Sequence, residues 1–139
     1  MSDELMPEIA EASSVIGDRW SPAVIAALLD GPLRYGELMK RLDGIAPNIL
    51  SARLKKLEED GLIVAAPYVE RPRRFEYRLT ETGAELSDLL RLFAAWGARR
   101  LRGGEHVLHA ACGTPLQVVW WCPTCAVAAA PGDEETVSM

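Results

Sequence analysis

The chain has 139 residues, 49% of them hydrophobic and 25% charged, a size that holds one core and a small appendage rather than two full domains. No uncharged apolar run nears the ~18 residues of a membrane span, and the acidic start MSDELMPEIA lacks the basic and apolar regions of a secretory signal; a cytoplasmic protein without membrane segments is expected, its three cysteines reduced. The formal net charge of −5 does not exclude nucleic acid, because it is unevenly spread: residues 1–33 carry −5, residues 34–79 carry +3 and residues 80–139 carry −3, so a basic central third stands between acidic flanks.

Taken in chain order, Pro7 to Ile16 reads as a short helix with Ile9, Ala12, Val15 and Ile16 on one stripe. Gly17-Asp18 interrupts it. A second helix is expected from Trp20 to Leu29, with Ser21 as N-cap, Pro22 in the first turn, and Val24, Ile25, Leu28 and Leu29 facing a core. Gly31-Pro32 ends it. A third helix covers Tyr35 to Leu42, with Leu38 and Leu42 inward, and Asp43-Gly44 stops it. After the connection Ile45 to Pro47, a fourth runs from Pro47 to Asp60. Leu50, Leu54 and Leu57 make its narrow buried face, while Asn48, Ser51, Lys55 and Lys56 make its polar one. Beyond Asp60-Gly61 the period shortens. Leu62 to Val64 with Tyr68-Val69, and Phe75 to Leu79, read as two strands around the basic turn Glu70-Arg71-Pro72-Arg73-Arg74. Thr80 then caps one long helix, Glu81 to Arg102, with Leu86, Leu89, Leu90, Phe93 and Trp96 on one side.

That order is the order of a winged helix-turn-helix. The expected fold is mainly α (α+β), with a two-stranded β wing and extra helices at both ends. Two short helices on a tight turn, the second showing small polar and basic groups, suit the major groove of double-stranded DNA. Asn48 and Ser51 are placed to reach base edges, Arg53 and Lys55 to reach bases or neighbouring phosphates, and Arg71, Arg73 and Arg74 to lie along the backbone or in a minor groove. The bland alternative is a solvated helix face beside a charged hairpin tip, and the competing functional class is a protein-binding module whose basic ribbon engages an acidic partner.

The stretch from Ile16 to Gly83 resembles the HxlR-type regulators. The matching features are Gly17 followed by Trp20, Arg34-Tyr35 before Glu37-Leu38, Gly44-Ile45, Leu50-Ser51, Arg53-Leu54, Leu57 and Asp60-Gly61-Leu62. Pro72, Tyr77, Leu79-Thr80-Glu81-Thr82-Gly83 and Trp96-Gly97 continue the match. The resemblance implies a dimeric transcription regulator of the nucleoid. Its first and last helices would dimerise, each fourth helix would read half of a pseudo-palindrome, and Arg34 and Tyr35 join the DNA-facing set. The resemblance also implies a cysteine near Pro7 in members that sense electrophiles or oxidants. None precedes Cys112 here, so that switch is not carried over and a small-molecule effector becomes the expected signal.

Residues 1–104 thus form the DNA-binding domain, 105–127 a small Cys/His appendage and 128–139 an acidic, disordered tail. In the appendage, His109-Ala-Ala-Cys112 and Cys122-Pro-Thr-Cys125 have equal gaps, with nine residues between the pairs. Three readings stay open: a closed structural zinc site, a redox CxxC pair and an inert trio. His106 is expected to be simply exposed. Trp120 and Trp121 either close a hairpin or, with Trp96, line a ligand pocket. Nothing suggests an enzyme: no phosphate-binding glycine loop or Ser-His-acid set is present, and the CxxC lacks a thioredoxin-like βαβ context.

Overall fold

The computed structural model describes residues 5–102, 107–130 and 133; of Arg102 only the backbone is described. The chain divides after Ala94 into two compact units, and the division falls within a helix.

In the first unit, α1 (Met6–Ile16) and α2 (Ser21–Leu28) are followed by β1 (Leu33–Arg34), α3 (Tyr35–Arg41) and α4 (Pro47–Glu59). Then come β2 (Ile63–Glu70), β3 (Arg73–Leu79), the single turn α5 (Glu81–Ala84) and α6 (Ser87–Arg102), which continues into the second unit. The core is what the spacing predicted except at Leu29, which was expected inward and is 37% exposed at the C-cap of α2. Val24, Ile25 and Leu28 of α2 meet Leu38 of α3, Leu50, Leu54 and Leu57 of α4, and Leu62, Ile63 and Leu90, each buried. Since α4 has its three leucines on one stripe, burying that stripe turns Asn48, Ser51 and Lys55 to solvent.

Three local features differ from the sequence expectation. The wing is the outer part of a three-stranded sheet, β1-β3-β2. The two-residue β1 pairs Leu33 with Tyr77 and Arg34 with Glu76, too short a strand to leave a period-two signal. Ser21 is not the cap of α2 but its first residue, wholly buried. The carboxylate of Asp18 instead accepts hydrogen bonds from the amides of Trp20 (2.9 Å) and Ser21 (3.0 Å). The long last helix is broken between Ala84 and Ser87. There Thr80 caps α5 as expected, accepting from the Gly83 amide. The same turn is bound to the link between α4 and β2, however, by Thr80 N to the Leu62 carbonyl (3.0 Å) and the Thr80 hydroxyl to the Gly61 carbonyl (2.6 Å). A β-carbon at Gly83 would stand 2.1 Å from the Leu62 carbonyl oxygen, so only glycine lets the turn lie against that backbone.

The end of α4 is equally specific. The Leu62 amide bonds the Leu57 carbonyl (2.9 Å) and the Gly61 amide the Glu58 carbonyl (3.1 Å), a Schellman motif with Gly61 at φ +73°. It turns the chain sharply from the helix into β2, and Glu58 fastens the joint by accepting from the Ala65 amide at 3.3 Å.

In the second unit, Leu108 bridges Pro115, and β4 (Trp120–Cys122) pairs with β5 (Val127–Ala129). Thus β5 takes in Ala128 and Ala129, two residues beyond the boundary expected for the tail. His106 and, except for Asp133, residues 131–139 lie outside the described residues.

Candidate nucleic-acid interface

The exposed face of α4 begins at its N-terminus, where Pro47 supplies a preset φ and Ala46 the extended cap. Tyr35 of α3 reaches across the helix-turn-helix: its hydroxyl donates to the Pro47 carbonyl (2.9 Å) and lies 3.3 Å from Ser51 Oγ. Tyr35 therefore locks the start of α4 to α3, and Ser51 is held from behind while its other side stays open. Asn48 is exposed beside it. A second tie comes from Glu37, whose carboxylate accepts from the Arg34 amide at the start of α3 (2.7 Å).

The cations divide by their partners. Lys55 is 79% exposed and only 3.9 Å from Glu59, a solvated pair that a phosphate displaces at little cost. Lys56 is more firmly held, 2.6 Å from Asp60. Arg53 sits on the flank of α4, 3.6 Å from Asp18. In this structure it serves the joint between α4 and the start of α2, whereas the sequence placed it only toward DNA. Burial pushes the Asp18 carboxyl up, but the Ser21 hydroxyl, the Ser21 and Trp20 amides and the Arg53 guanidinium outweigh it, leaving it below its ordinary value of 3.8.

On the wing, Arg71 and Arg74 are exposed with no carboxylate partner among the described residues, and Arg73 lies 3.8 Å from Glu70 across the turn. Arg34 projects from β1 over the ring of Tyr68 in β2, 4.3 Å from its centroid. That contact fixes Arg34 at the base of the wing. Sequence reading passed over Tyr68, whose stacking on Arg34 shows only once the strands meet, and over Asp18, whose capping of the Trp20 and Ser21 amides is local but is assigned by the sequence pattern to Ser21 instead. The candidate surface thus runs from Asn48, Ser51 and Lys55 on α4 to Arg34 and the three arginines of the wing.

Away from that face, the first unit holds a cavity of about 690 Å³ between α1, the start of α2 and the first half of α6. Ile9, Ile16, Pro22, Leu89 and Phe93 give it apolar walls, and Asp18 and Arg19 a polar edge. Trp96, Trp120 and Trp121 belong to the second unit, where each is more than half exposed.

The second unit keeps the two Cys/His pairs separate. His109 Nδ1 is 3.2 Å from Cys112 Sγ, and the Cys125 amide donates to Cys122 Sγ at 3.5 Å. Among the described residues no three metal-ligating side chains stand together. Hydrogen bonds from Thr114 and then His109 lower the Cys112 thiol below its ordinary value. The Cys125 amide and side chain, with the Thr124 amide, do the same for Cys122.

The chain matches the HxlR-like helix-turn-helix family over residues 15–104. It is 40% identical to the regulator named MalR of Fusobacterium mortiferum over 60% of this chain and 80% of that one. It is 31% identical to the transcriptional regulator YodB of Bacillus subtilis over 77% of this chain and 96% of YodB. The solved structure of reduced YodB superposes with a TM-score of 0.61 over 71% of this chain and 97% of YodB, at 31% identity. The oxidised form of the redox regulator HypR does so with 0.63 over 72% and 99%, at 27% identity. Among the described residues no helix is long and apolar enough to cross a membrane. A winged helix-turn-helix with a polar, exposed second helix, matched over this length, belongs to the HxlR-like family of transcriptional regulators.

Proposed function

We propose that this chain is a sequence-specific, cytoplasmic regulator that binds a pseudo-palindromic operator as a homodimer and is released or engaged by a small molecule. The observation that carries the DNA reading is the face of α4. Its leucine stripe is wholly committed to the core, and Tyr35 and Glu58 hold its two ends to α3 and β2. The polar residues left outward, Asn48 and Ser51, are short enough to approach base edges. Arg71 and Arg74 of the wing, exposed and with no carboxylate partner among the described residues, add phosphate affinity.

The dimer reading is supported by the outer helices. No residue of α1 is buried, and Leu89, Leu92 and Phe93 of α6 are 49%, 43% and 60% exposed on one stripe. A second copy covering these faces would make a symmetric dimer, and reading two half-sites on one side of a duplex would require its α4 helices to stand about 34 Å apart.

The effector reading is supported by the cavity beside α1. Its size and apolar walls suit a small organic molecule. Asp18, on its edge, is also the partner of Arg53 on α4, so a ligand that disturbs this carboxylate alters a contact of the reading helix. YodB has been solved with quinone bound and HypR in oxidised and reduced forms. In this chain the three cysteines lie beyond the family match, at 112, 122 and 125, so a thiol response would run through the appendage.

Binding to the DNA upstream of the protein's own gene, against random DNA over a salt series, tests the proposal. The expected result is a preference on the order of a thousandfold with affinity falling steeply as salt rises. Equal, weak binding to both would favour a protein partner for the basic wing.

A further inference from the structure

Residues 107–130 make two hairpin tips built on one plan. In the first, Leu108 bridges Pro115, the Leu116 amide bonds the Val107 carbonyl (2.7 Å), and His109 and Cys112 flank a two-residue turn. In the second, Cys122 ends β4 opposite Val127, and Cys122 and Cys125 flank an equal turn. The residue after each pair is left-handed, Gly113 at φ +70° and Ala126 at φ +54°. Its amide returns to the carbonyl of the first member: Gly113 to His109 at 2.7 Å and Ala126 to Cys122 at 2.9 Å. Ala126 is the single non-glycine residue at positive φ among the described residues. A β-carbon is strained there, so the turn geometry is kept at a cost.

Nothing apolar accounts for that cost. No residue from 107 to 130 is buried, and Val118, Val119, Trp120 and Trp121 are each more than half exposed. A segment this small holds a fold only with a cross-link, a metal or a partner surface. All three cysteines are free. Two turns that each aim two soft or borderline ligands from a rigid tip are what a tetrahedral cation requires.

We propose that His109, through Nδ1, and Cys112, Cys122 and Cys125, through their sulfurs, hold one structural zinc ion within a single chain. Nδ1 is the ring nitrogen that faces Cys112, at 3.2 Å. Four protein ligands leave no open position, so the site is structural and not catalytic. The two pairs stand apart in the structure, and the nine-residue link 113–121 lets the tips close on one ion. The Cys125 amide already directed at Cys122 Sγ then becomes a supporting contact to a bound thiolate.

Cobalt(II) added to the full-length, reduced, metal-stripped protein tests this. The expected result is one cobalt per chain, with the intense visible bands of a tetrahedral site and the charge-transfer band of three thiolates, displaced by zinc. Cys112→Ser and Cys125→Ser, one from each tip, should each abolish stoichiometric binding. His109→Cys should retain one cobalt per chain and strengthen the charge-transfer band to that of four thiolates, a gain that an unfolded variant would not give. Less than one metal per chain, binding that survives Cys112→Ser unchanged, or one ion shared between the Cys122 and Cys125 of two chains would overturn the proposal.

Discussion

Among single residues, the sharpest division lies between cations that are free to meet phosphate and one that serves the fold. Arg74 has no carboxylate partner among the described residues, whereas Arg53 is paired with Asp18. Arg74→Ala is therefore expected to weaken binding to cognate and random DNA alike, by about tenfold, and to lower the salt slope by about one. A salt titration of both DNAs checks it. Asp18→Ala should act on stability instead, since it removes the acceptor for the Trp20 and Ser21 amides. We expect a loss of about 1 kcal/mol, the usual cost of a missing helix cap, read by denaturant unfolding. Its pH dependence has a definite sign. The folded carboxyl lies below its ordinary value of 3.8, so its contribution is complete above that pH and is lost as the pH falls through the lower, folded value. The stability gap between wild type and Asp18→Ala should close there. A gap that persists unchanged at lower pH would mean that Asp18 acts through packing alone.

Between elements, the joints decide how the wing stands to α4. The turn after β3 touches the Leu62 backbone so closely that Gly83→Ala has to move main chain. Overpacking against a rigid neighbour costs about 2 kcal/mol, and thermal unfolding should show a midpoint roughly 8 °C lower. A variant that melts with the wild type would show that α5 can lift away freely. These joints also mark what could be read in the sequence. Leu50, Leu54 and Leu57 carry a helical period because burial of one stripe demands it, and Asp60-Gly61 punctuates because the Schellman turn needs positive φ. So α4 and its polar face were legible. The two-residue β1 and the break before Ser87 were not, because each depends on a partner distant in sequence or on backbone approach rather than on local pattern; the Asp18 cap, bonded to amides two and three residues on, was a local signal masked by the Ser21-Pro22 start. Likewise the family resemblance put Tyr35 in the DNA-facing set, but its bond to Pro47 needed the fold.

For the whole molecule, the acidic flanks and basic centre seen in the composition become a division of labour. The α4 face and wing carry the cations, and the outer helices carry exposed apolar residues, among them Ile9, Leu89 and Leu92. Replacing Leu92 with Glu should break the proposed dimer, giving a monomer in sedimentation at micromolar concentration and at least a tenfold loss of operator affinity. A dimer that survives would place the interface elsewhere.

The central claim is that α4 reads base sequence. The measurement that tests it most directly is the affinity of wild type and Asn48→Ala for an operator and all of its single-base-pair variants. The account predicts that Asn48→Ala loses about 1–3 kcal/mol of discrimination at one base pair of each half-site, the two positions related by the operator's symmetry, with the other positions unchanged. An even loss across every position, or none at all, would contradict it.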